Sequence, residues 1–98
     1  MGPEARILKA IERWLQSLWR DGEPIWWLKV HGGPMQRAGV PDLLVCHRGR
    51  FVGLEVKAPG KEPTGIQEET MRRIAEAGGV AHAVTSADEA AAALGVGR

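Results

Sequence analysis

The N-terminal segment carries its large apolar side chains at helical spacing. At about 100° per residue, the apolar residues from Ile7 to Trp19 fall in one arc, and basic or amide side chains occupy the opposite face. This pattern predicts an amphipathic helix over residues 3–20. Glu4 departs from it, because Glu4 lands inside the apolar arc one turn before Leu8. A carboxylate that faces a core is costly unless it is paired, so Glu4 requires a partner.

Three strands are predicted in the next part of the chain, at residues 25–30, 43–46 and 51–57. The first is rich in aromatic and β-branched residues, and the third alternates, with Val52, Leu54 and Val56 on one face. Arg48-Gly49 is a turn signal between the second and third strands. The segment 31–41 is rich in glycine and proline and is longer than most connections; such loops are often functional.

The C-terminal third predicts a helix, a strand and a second helix. Thr64 and Gln67 form a capping-box pattern that opens a helix running to about Ala77. We expect its inner side to carry Ile66, Thr70, Met71 and Ile74. Residues 80–84 read as a strand, and a last helix ends near residue 94. The order α-β-β-β-α-β-α, with a parallel crossover between the last two strands, predicts an α/β fold: a mixed β-sheet flanked by helices on both faces.

Length and composition favour a soluble globular domain. The 98 residues predict a single domain over 1–98, and 44% hydrophobic with 26% charged residues is ordinary for that class. No apolar run approaches the ~18 residues of a membrane span, and the N-terminus lacks a signal peptide's apolar stretch, so we expect no membrane association and a cytoplasmic location. The single cysteine, Cys46, excludes an intrachain disulfide, and no Cys/His pairing has zinc spacing.

The predicted hairpin brings charged groups together. A two-residue turn or a four-residue loop gives the same register, in which Asp42 lies opposite Glu55 with Cβ atoms about 5 Å apart. Lys57 lies on the same face. Two carboxylates this close repel unless a proton or a cation intervenes. Magnesium binds such oxygen ligands and polarises phosphodiesters, and Lys57 could then stabilise charge on the phosphate. Alternatively, Lys57 only forms a salt bridge with these carboxylates.

These residues also match a known pattern. Pro41-Asp42 followed by Glu55-Val56-Lys57 resembles the PD-(D/E)XK nuclease motif. D-x(12)-E-x-K alone is a weak pattern. Together with Gly39-Val40 before it, and with Gly60-Lys61 and Gln67 after it, the chain resembles a VRR-NUC (virus-type replication–repair nuclease) domain over nearly its whole length. The resemblance implies the restriction-endonuclease-like PD-(D/E)XK fold.

The resemblance also implies roles for individual residues. Asp42 and Glu55 match the metal ligands, the carbonyl of Val56 adds an oxygen, and Lys57 matches the catalytic lysine. Two further residues match site positions of the family: Gln67 and Glu4. The implied activity is Mg²⁺- or Mn²⁺-dependent endonucleolytic cleavage of DNA, of structured or branched substrates such as Holliday junctions, by a homodimer. A stand-alone domain from a bacterial or phage source is expected.

Several side chains have two interpretations. Gln67 either serves the site or only caps its helix, and His31 either reaches a phosphate or is a solvated loop residue. The better-placed DNA-binding candidates are Lys29, Arg37, Lys61 and Arg72. The basic face of the first helix tracks a phosphate backbone or is simply solvated. The four tryptophans belong to the core or to a subunit interface.

Two rival functions use the same fold. One is a restriction- or nicking-type nuclease, and the other is a non-catalytic nucleic-acid-binding module. The complete set of Asp42, Glu55 and Lys57 argues against the binding module, because a protein that only binds DNA does not need clustered carboxylates facing phosphates.

Overall fold

The element order of the chain follows the prediction. A computed structural model describes residues 1–34 and 37–97; part of the predicted loop at 31–41 therefore lies outside the described residues. The elements are α1 (Pro3–Arg20), β1 (Ile25–Lys29), β2 (Leu43–His47), β3 (Arg50–Val56), α2 (Gly65–Glu76), β4 (Val80–Val84) and α3 (Ala87–Leu94). The predicted order α-β-β-β-α-β-α is confirmed, and the predicted ends differ from these by no more than a residue or two.

Helix α1 forms where its amphipathic pattern places it. Pro3 occupies the start of the helix, where its missing N–H costs nothing and its fixed φ favours helix. The apolar arc is buried, with Ile11 and Leu15 fully inaccessible to solvent. The opposite, basic face is exposed. The helix therefore presents one side to the core and a charged side to water.

The sheet has the strand order β1-β2-β3-β4. Both β1–β2 and β2–β3 are antiparallel, and β3–β4 is parallel. The β2–β3 turn contains two residues with positive φ, Arg48 at 53° and Gly49 at 78°, the geometry that two-residue hairpins favour. Leu43 pairs with Leu54, so the predicted register is confirmed.

Helices cover both faces of the sheet, but unequally. Helices α1 and α3 lie on one face, where the core is formed by residues of these helices together with Leu43, Val45, Val52, Leu54, Val56 and Val84. Helix α2 lies on the other face, over β3 and β4. A side chain at Gly53 or Gly79 would collide with or crowd Ile74 of α2, so these glycines let α2 approach the sheet closely.

The predicted inner side of α2 was wrong at Ile66, which is 54% exposed. Helix α2 has no fully buried residue, because it rests on the sheet mainly through its later turns. Its first turn instead meets the loop before β2, where the carbonyl of Ile66 lies against Gly39. The side chain of Ile66 is left in solvent.

The β1–β2 part of the α2-side face carries exposed apolar residues. Trp26 is 61% exposed and Leu28 is 48% exposed, and the strand register places Phe51 on the same face. By contrast, Trp14 is buried and Trp27 packs against the core. The tryptophans thus divide between core and surface.

Within the described ranges, no helix combines the length and the apolar character needed to cross a membrane.

Candidate active site

The β2–β3 pairing brings two carboxyl groups together beyond the start of β2. Asp42 directly precedes Leu43, and Leu43 pairs with Leu54, so Asp42 lies beside Glu55. Oδ2 of Asp42 accepts a hydrogen bond of 2.7 Å from the backbone N–H of Val56. The Glu55 side chain is almost fully buried and forms a hydrogen bond with the Asp42 carboxyl group. The contact expected from the hairpin register is therefore present.

The residues before Asp42 hold it in place by close packing. Gly39 has a φ of +84°, and a Cβ there would lie 2.7 Å from the carbonyl oxygen of Ile66, so only glycine fits without strain. Pro41 is fully buried and packs over Gly53, where a Cβ would lie 2.9 Å from the proline ring. These contacts fix the path of the loop and thereby the position of Asp42.

Glu4 reaches the same site from the opposite helix layer. Its Oε2 accepts a hydrogen bond of 3.1 Å from the backbone N–H of Ala58, the residue after Lys57. Its charge also acts on Glu55. The carboxylate that interrupts the apolar arc of α1 therefore has a partner. Sequence reasoning did not identify the Ala58 amide, because a backbone N–H has no residue-type signal.

The site holds more negative than positive charge. The pKa of Glu55 is raised to about 8, first because the side chain is buried, and then by the hydrogen bond to Asp42 and its charge. Lys57 acts in the opposite direction, and Glu4 adds a further increase. The single ammonium group does not offset the burial and the neighbouring carboxylates. A proton or an added cation is therefore required.

The oxygen groups present fit a hard divalent cation. Asp42 and Glu55 supply two carboxylates. The N–H of Val56 points toward Asp42, and the N–H and C=O of a strand residue point to the same edge, so the Val56 carbonyl faces that side too. In residues 1–34 and 37–97, no group of three or more His, Cys, Asp or Glu side chains could hold a metal. An ion here would take one or two carboxylates and complete its shell with other oxygens, as Mg²⁺ commonly does.

Gln67 is engaged in capping α2. Its side-chain oxygen accepts a 2.9 Å hydrogen bond from the backbone N–H of Thr64. The backbone N–H of Gln67 in turn donates to the Thr64 hydroxyl. This is the complete capping box. Of the two interpretations of Gln67, the structure shows the cap. A role in the site stays a prediction and would have to share this side chain with the cap.

The DNA-binding candidates lie in different surroundings. Lys29 and His31 are exposed beside the Asp42 end of the sheet, where the N–H of Val30 donates to the carbonyl of Asp42. Lys61 is exposed in the loop after Lys57. Lys29 pairs with the core residue Leu43, so its side chain lies on the α1 side of the sheet and not on the face of Glu55.

The two arginine candidates lie on the α2 side of the sheet. Arg37 is exposed and borders a cavity of about 290 Å³ along α2. Arg72 forms ion pairs with Glu69 and Glu76, and these two carboxylates raise the pKa of its guanidinium. Binding of Arg72 to a phosphate would require these ion pairs to open.

Comparisons with known proteins identify the fold. No protein-family model matches the chain, and no curated protein matches it in sequence. A solved structure described as "VRR_NUC domain" is similar over 91% of this chain and 90% of its own, with a TM-score of 0.73 and 25% identity. A second, "VRR_NUC domain protein", is similar over 97% of this chain and 87% of its own, with a TM-score of 0.68 and 18% identity.

The likeness extends over the elements that carry the site. The roles that the motif implies for Asp42 and Glu55 stay predictions. The α-β-β-β-α-β-α order, the four-stranded mixed sheet and its flanking helices match these VRR_NUC structures. The chain therefore has the fold of VRR_NUC domains, and this likeness over nine-tenths of its length supports the VRR-NUC resemblance of its sequence.

Proposed function

We propose that this domain is a Mg²⁺- or Mn²⁺-dependent endonuclease that hydrolyses DNA phosphodiester bonds. The observation that carries the proposal is the convergence of Asp42 and Glu55 with Lys57, in a nuclease-family fold. The Glu55 carboxyl group has a pKa of about 8 in the absence of a cation. A divalent ion bound by the two carboxylates would replace that proton and remove the repulsion.

The residues of the site would divide the work as follows. Asp42, Glu55 and the Val56 carbonyl would hold the ion. When bound, the ion supplies charge neutralisation of the phosphate and a more acidic water. Lys57 would place its ammonium group beside the scissile phosphate, stabilise the negative charge that develops there and orient the attacking water. In the hydrolysis, a water oxygen bonds to phosphorus, and the bond from phosphorus to the leaving sugar oxygen breaks.

The residues around the site would bind the DNA backbone. Lys29, His31 and Lys61 are exposed and would contact phosphates near the ends of β1 and β3, and Arg37 would contact the strand on the α2 side. Arg72 would contribute only after its ion pairs open. Such contacts position the substrate without reading its sequence.

We infer that the substrate is structured or branched DNA, such as a Holliday junction, and that the active form is a homodimer. One site hydrolyses one strand at a time, so paired incision needs two sites related by a two-fold axis. The exposed Trp26, Leu28 and Phe51 on one sheet face support a contact with a second copy, because tryptophan and phenylalanine are enriched at interfaces.

Cleavage of a substrate panel tests the activity. Labelled linear duplex, flap and four-way junction substrates are incubated with the protein in Mg²⁺, in Mn²⁺ and in chelator. We expect cleavage only with the metal ions, and loss of cleavage in Asp42→Asn. Glu62→Gln, which makes a similar acid-to-amide change at an exposed loop position, is the matched control. Metal-independent cleavage, or an active Asp42→Asn variant, would reject the proposed site.

The same panel separates the rival functions. Preference for four-way junctions together with a dimeric mass in light scattering supports the branched-DNA homodimer. A monomeric mass with equal cleavage of all substrates rejects it and leaves the general nuclease. Cleavage or nicking of linear duplex at defined sequences supports a restriction- or nicking-type enzyme. Binding without any cleavage supports a non-catalytic module.

A further inference from the structure

The outer face of α1 carries a row of cations that the active site does not use. We call this row the α1 stripe; its members are Arg6, Lys9, Arg13 and Arg20. At about 100° per residue, they fall within about 60° of one another, opposite the buried Ile11. All four are exposed. At about 1.5 Å per residue, the row is about 21 Å long.

The α1 stripe is not neutralised by the rest of the described chain. In residues 1–34 and 37–97, the ion pairs lie around Glu23 and on α2, and none of them includes a stripe residue. Glu12 is the acid beside the row, because it borders the same surface groove as Lys9, Arg13 and Arg20. Arg6 donates to the carbonyl of Met1, which leaves its charge in place. On α2, by contrast, Arg72 lies between two glutamates. Four cations with one neighbouring carboxylate create a positive potential along that face.

The form of the stripe favours a nucleic-acid backbone over a lipid surface. A helix that lies on a membrane inserts an exposed apolar face, whereas the apolar face of α1 is buried in the core. A nucleic-acid strand carries one phosphate about every 3.4 Å of duplex axis, so a straight row of cations can contact several phosphates in succession. The same helix enters the nuclease site through Glu4.

We propose that the α1 stripe binds the phosphate backbone of a part of the substrate that lies outside the active site. The stripe points away from the sheet, on the side of α1 and α3. Asp42 and Glu55 lie on the other face of the sheet, which carries α2. One straight DNA segment that lies at the carboxylates cannot also run along the stripe. A second arm of the substrate, or a long flanking segment, would therefore occupy the stripe. This inference rests on the proposed function in taking the substrate to be nucleic acid.

The salt dependence of DNA binding tests the stripe. Binding of a labelled four-way junction is measured in chelator from 50 to 300 mM NaCl for the wild type and for Arg13→Gln/Arg20→Gln. Each lost phosphate contact lowers the slope of log affinity against log salt by about 0.9, so we expect a decrease of about 2. The control, Arg48→Gln/Arg50→Gln, removes the same charge from exposed positions at the β2–β3 turn, and we expect its slope to stay near the wild-type value. Thermal melting checks that both variants fold.

Equal slopes for the stripe variant and the control would overturn the proposal. A second outcome would also overturn it: the stripe variant loses binding to phosphatidylglycerol vesicles, but its salt slope for DNA stays at the wild-type value. The stripe would then bind lipid. Wild-type cleavage in Mg²⁺ is measured in parallel. If the wild type cleaves DNA but the stripe variant keeps the wild-type salt slope, the stripe proposal is rejected and the nuclease proposal stands. If the slope of the stripe variant decreases but the wild type does not cleave DNA, the nuclease proposal is rejected and the stripe proposal stands.

Discussion

The two ends of the β2–β3 hairpin use charge in opposite ways. At the turn end, Glu23 forms a 3.0 Å ion pair with Arg48 and a 2.9 Å hydrogen bond with Nε2 of His47. Arg48 first, and then His47, hold the pKa of Glu23 below its ordinary value. At the open end, burial and Asp42 raise the pKa of Glu55 to about 8. One end is matched in charge and the other is not.

The difference separates a structural ion pair from a site prepared for a ligand. At the turn end each charged group has its partner within the protein, so nothing further is needed. At the open end the backbone holds Asp42 through the Val56 amide and buries Glu55 beside it. This arrangement costs stability in the absence of a cation, and strongly perturbed carboxyl groups of this kind concentrate at functional sites.

The largest expected effect comes from neutralising the open end. Glu55→Gln keeps the size of the side chain but removes a proposed metal ligand, and if the proposal holds, the loss of metal-assisted stabilisation makes cleavage at least ~10³-fold slower. Calorimetry should show that Mn²⁺ affinity falls in parallel. Glu23→Gln is the matched control at the turn end and should cleave at the wild-type rate. Unchanged Mn²⁺ affinity in Glu55→Gln would contradict the assignment of the metal ligands.

Lys57 tests whether the one cation of the open end acts in chemistry. Lys57→Ala removes the ammonium group that is proposed to stabilise charge on the phosphate, and we expect turnover to fall about 10²–10³-fold with little change in Mn²⁺ affinity. The measurement is single-turnover cleavage at saturating metal and DNA. If Lys57→Ala cleaves at the wild-type rate, Lys57 only lowers the electrostatic repulsion at the carboxylates.

The two ends also predict opposite responses of stability to pH in metal-free protein. Glu55 holds a proton in the folded state that the unfolded chain releases near pH 4.5, so folding stability should decrease as pH rises from about 4.5 to about 8. One pKa unit corresponds to ~1.4 kcal/mol, so the loss amounts to a few kcal/mol. Glu23 has a lowered pKa, so its contribution is present above about pH 4.5 and is lost as pH falls further.

Denaturant unfolding in chelator checks this contrast. Glu55→Gln should remove the loss of stability between pH 5 and 8, and Glu23→Gln should remove only the part below pH 4.5. Adding Mg²⁺ should restabilise the wild type at pH 8, because a ligand that binds only the folded state raises its stability. A wild type whose metal-free stability is constant from pH 5 to 8 would show that Glu55 is ionised throughout.

The sequence predicted the open end well because its geometry depends on strand periodicity. Residues on a strand alternate between faces, so a turn signal at Arg48-Gly49 was enough to place Asp42 beside Glu55. Helix α1 was equally predictable, since its apolar arc has one clear direction. These features depend on local pattern, which a single sequence carries.

The features that the sequence did not predict depend on contacts between distant segments. The exposure of Ile66 follows from how α2 rests over Gly53 and Gly79, and helical periodicity does not show which turns of a helix touch a sheet. At the turn end, Glu23 contacts His47 and Arg48, which lie more than a strand away in the sequence. No residue spacing in the sequence indicates these contacts. The partner of Glu4 is a backbone amide, which every residue but proline possesses.

The smallest expected effect concerns Glu4, which adds negative charge to the open end from α1. Glu4→Gln keeps a side-chain oxygen that can accept the Ala58 N–H, so the fold should persist, while the attraction of the site for a cation decreases. A loss of about 1 kcal/mol, the size of one screened charge interaction, corresponds to about a fivefold higher Mg²⁺ concentration for half-maximal cleavage. Turnover at saturating Mg²⁺ should stay near the wild-type value. Identical Mg²⁺ titrations of the two proteins would show that Glu4 acts only through its hydrogen bond to Ala58, because glutamine preserves that bond and changes only the charge.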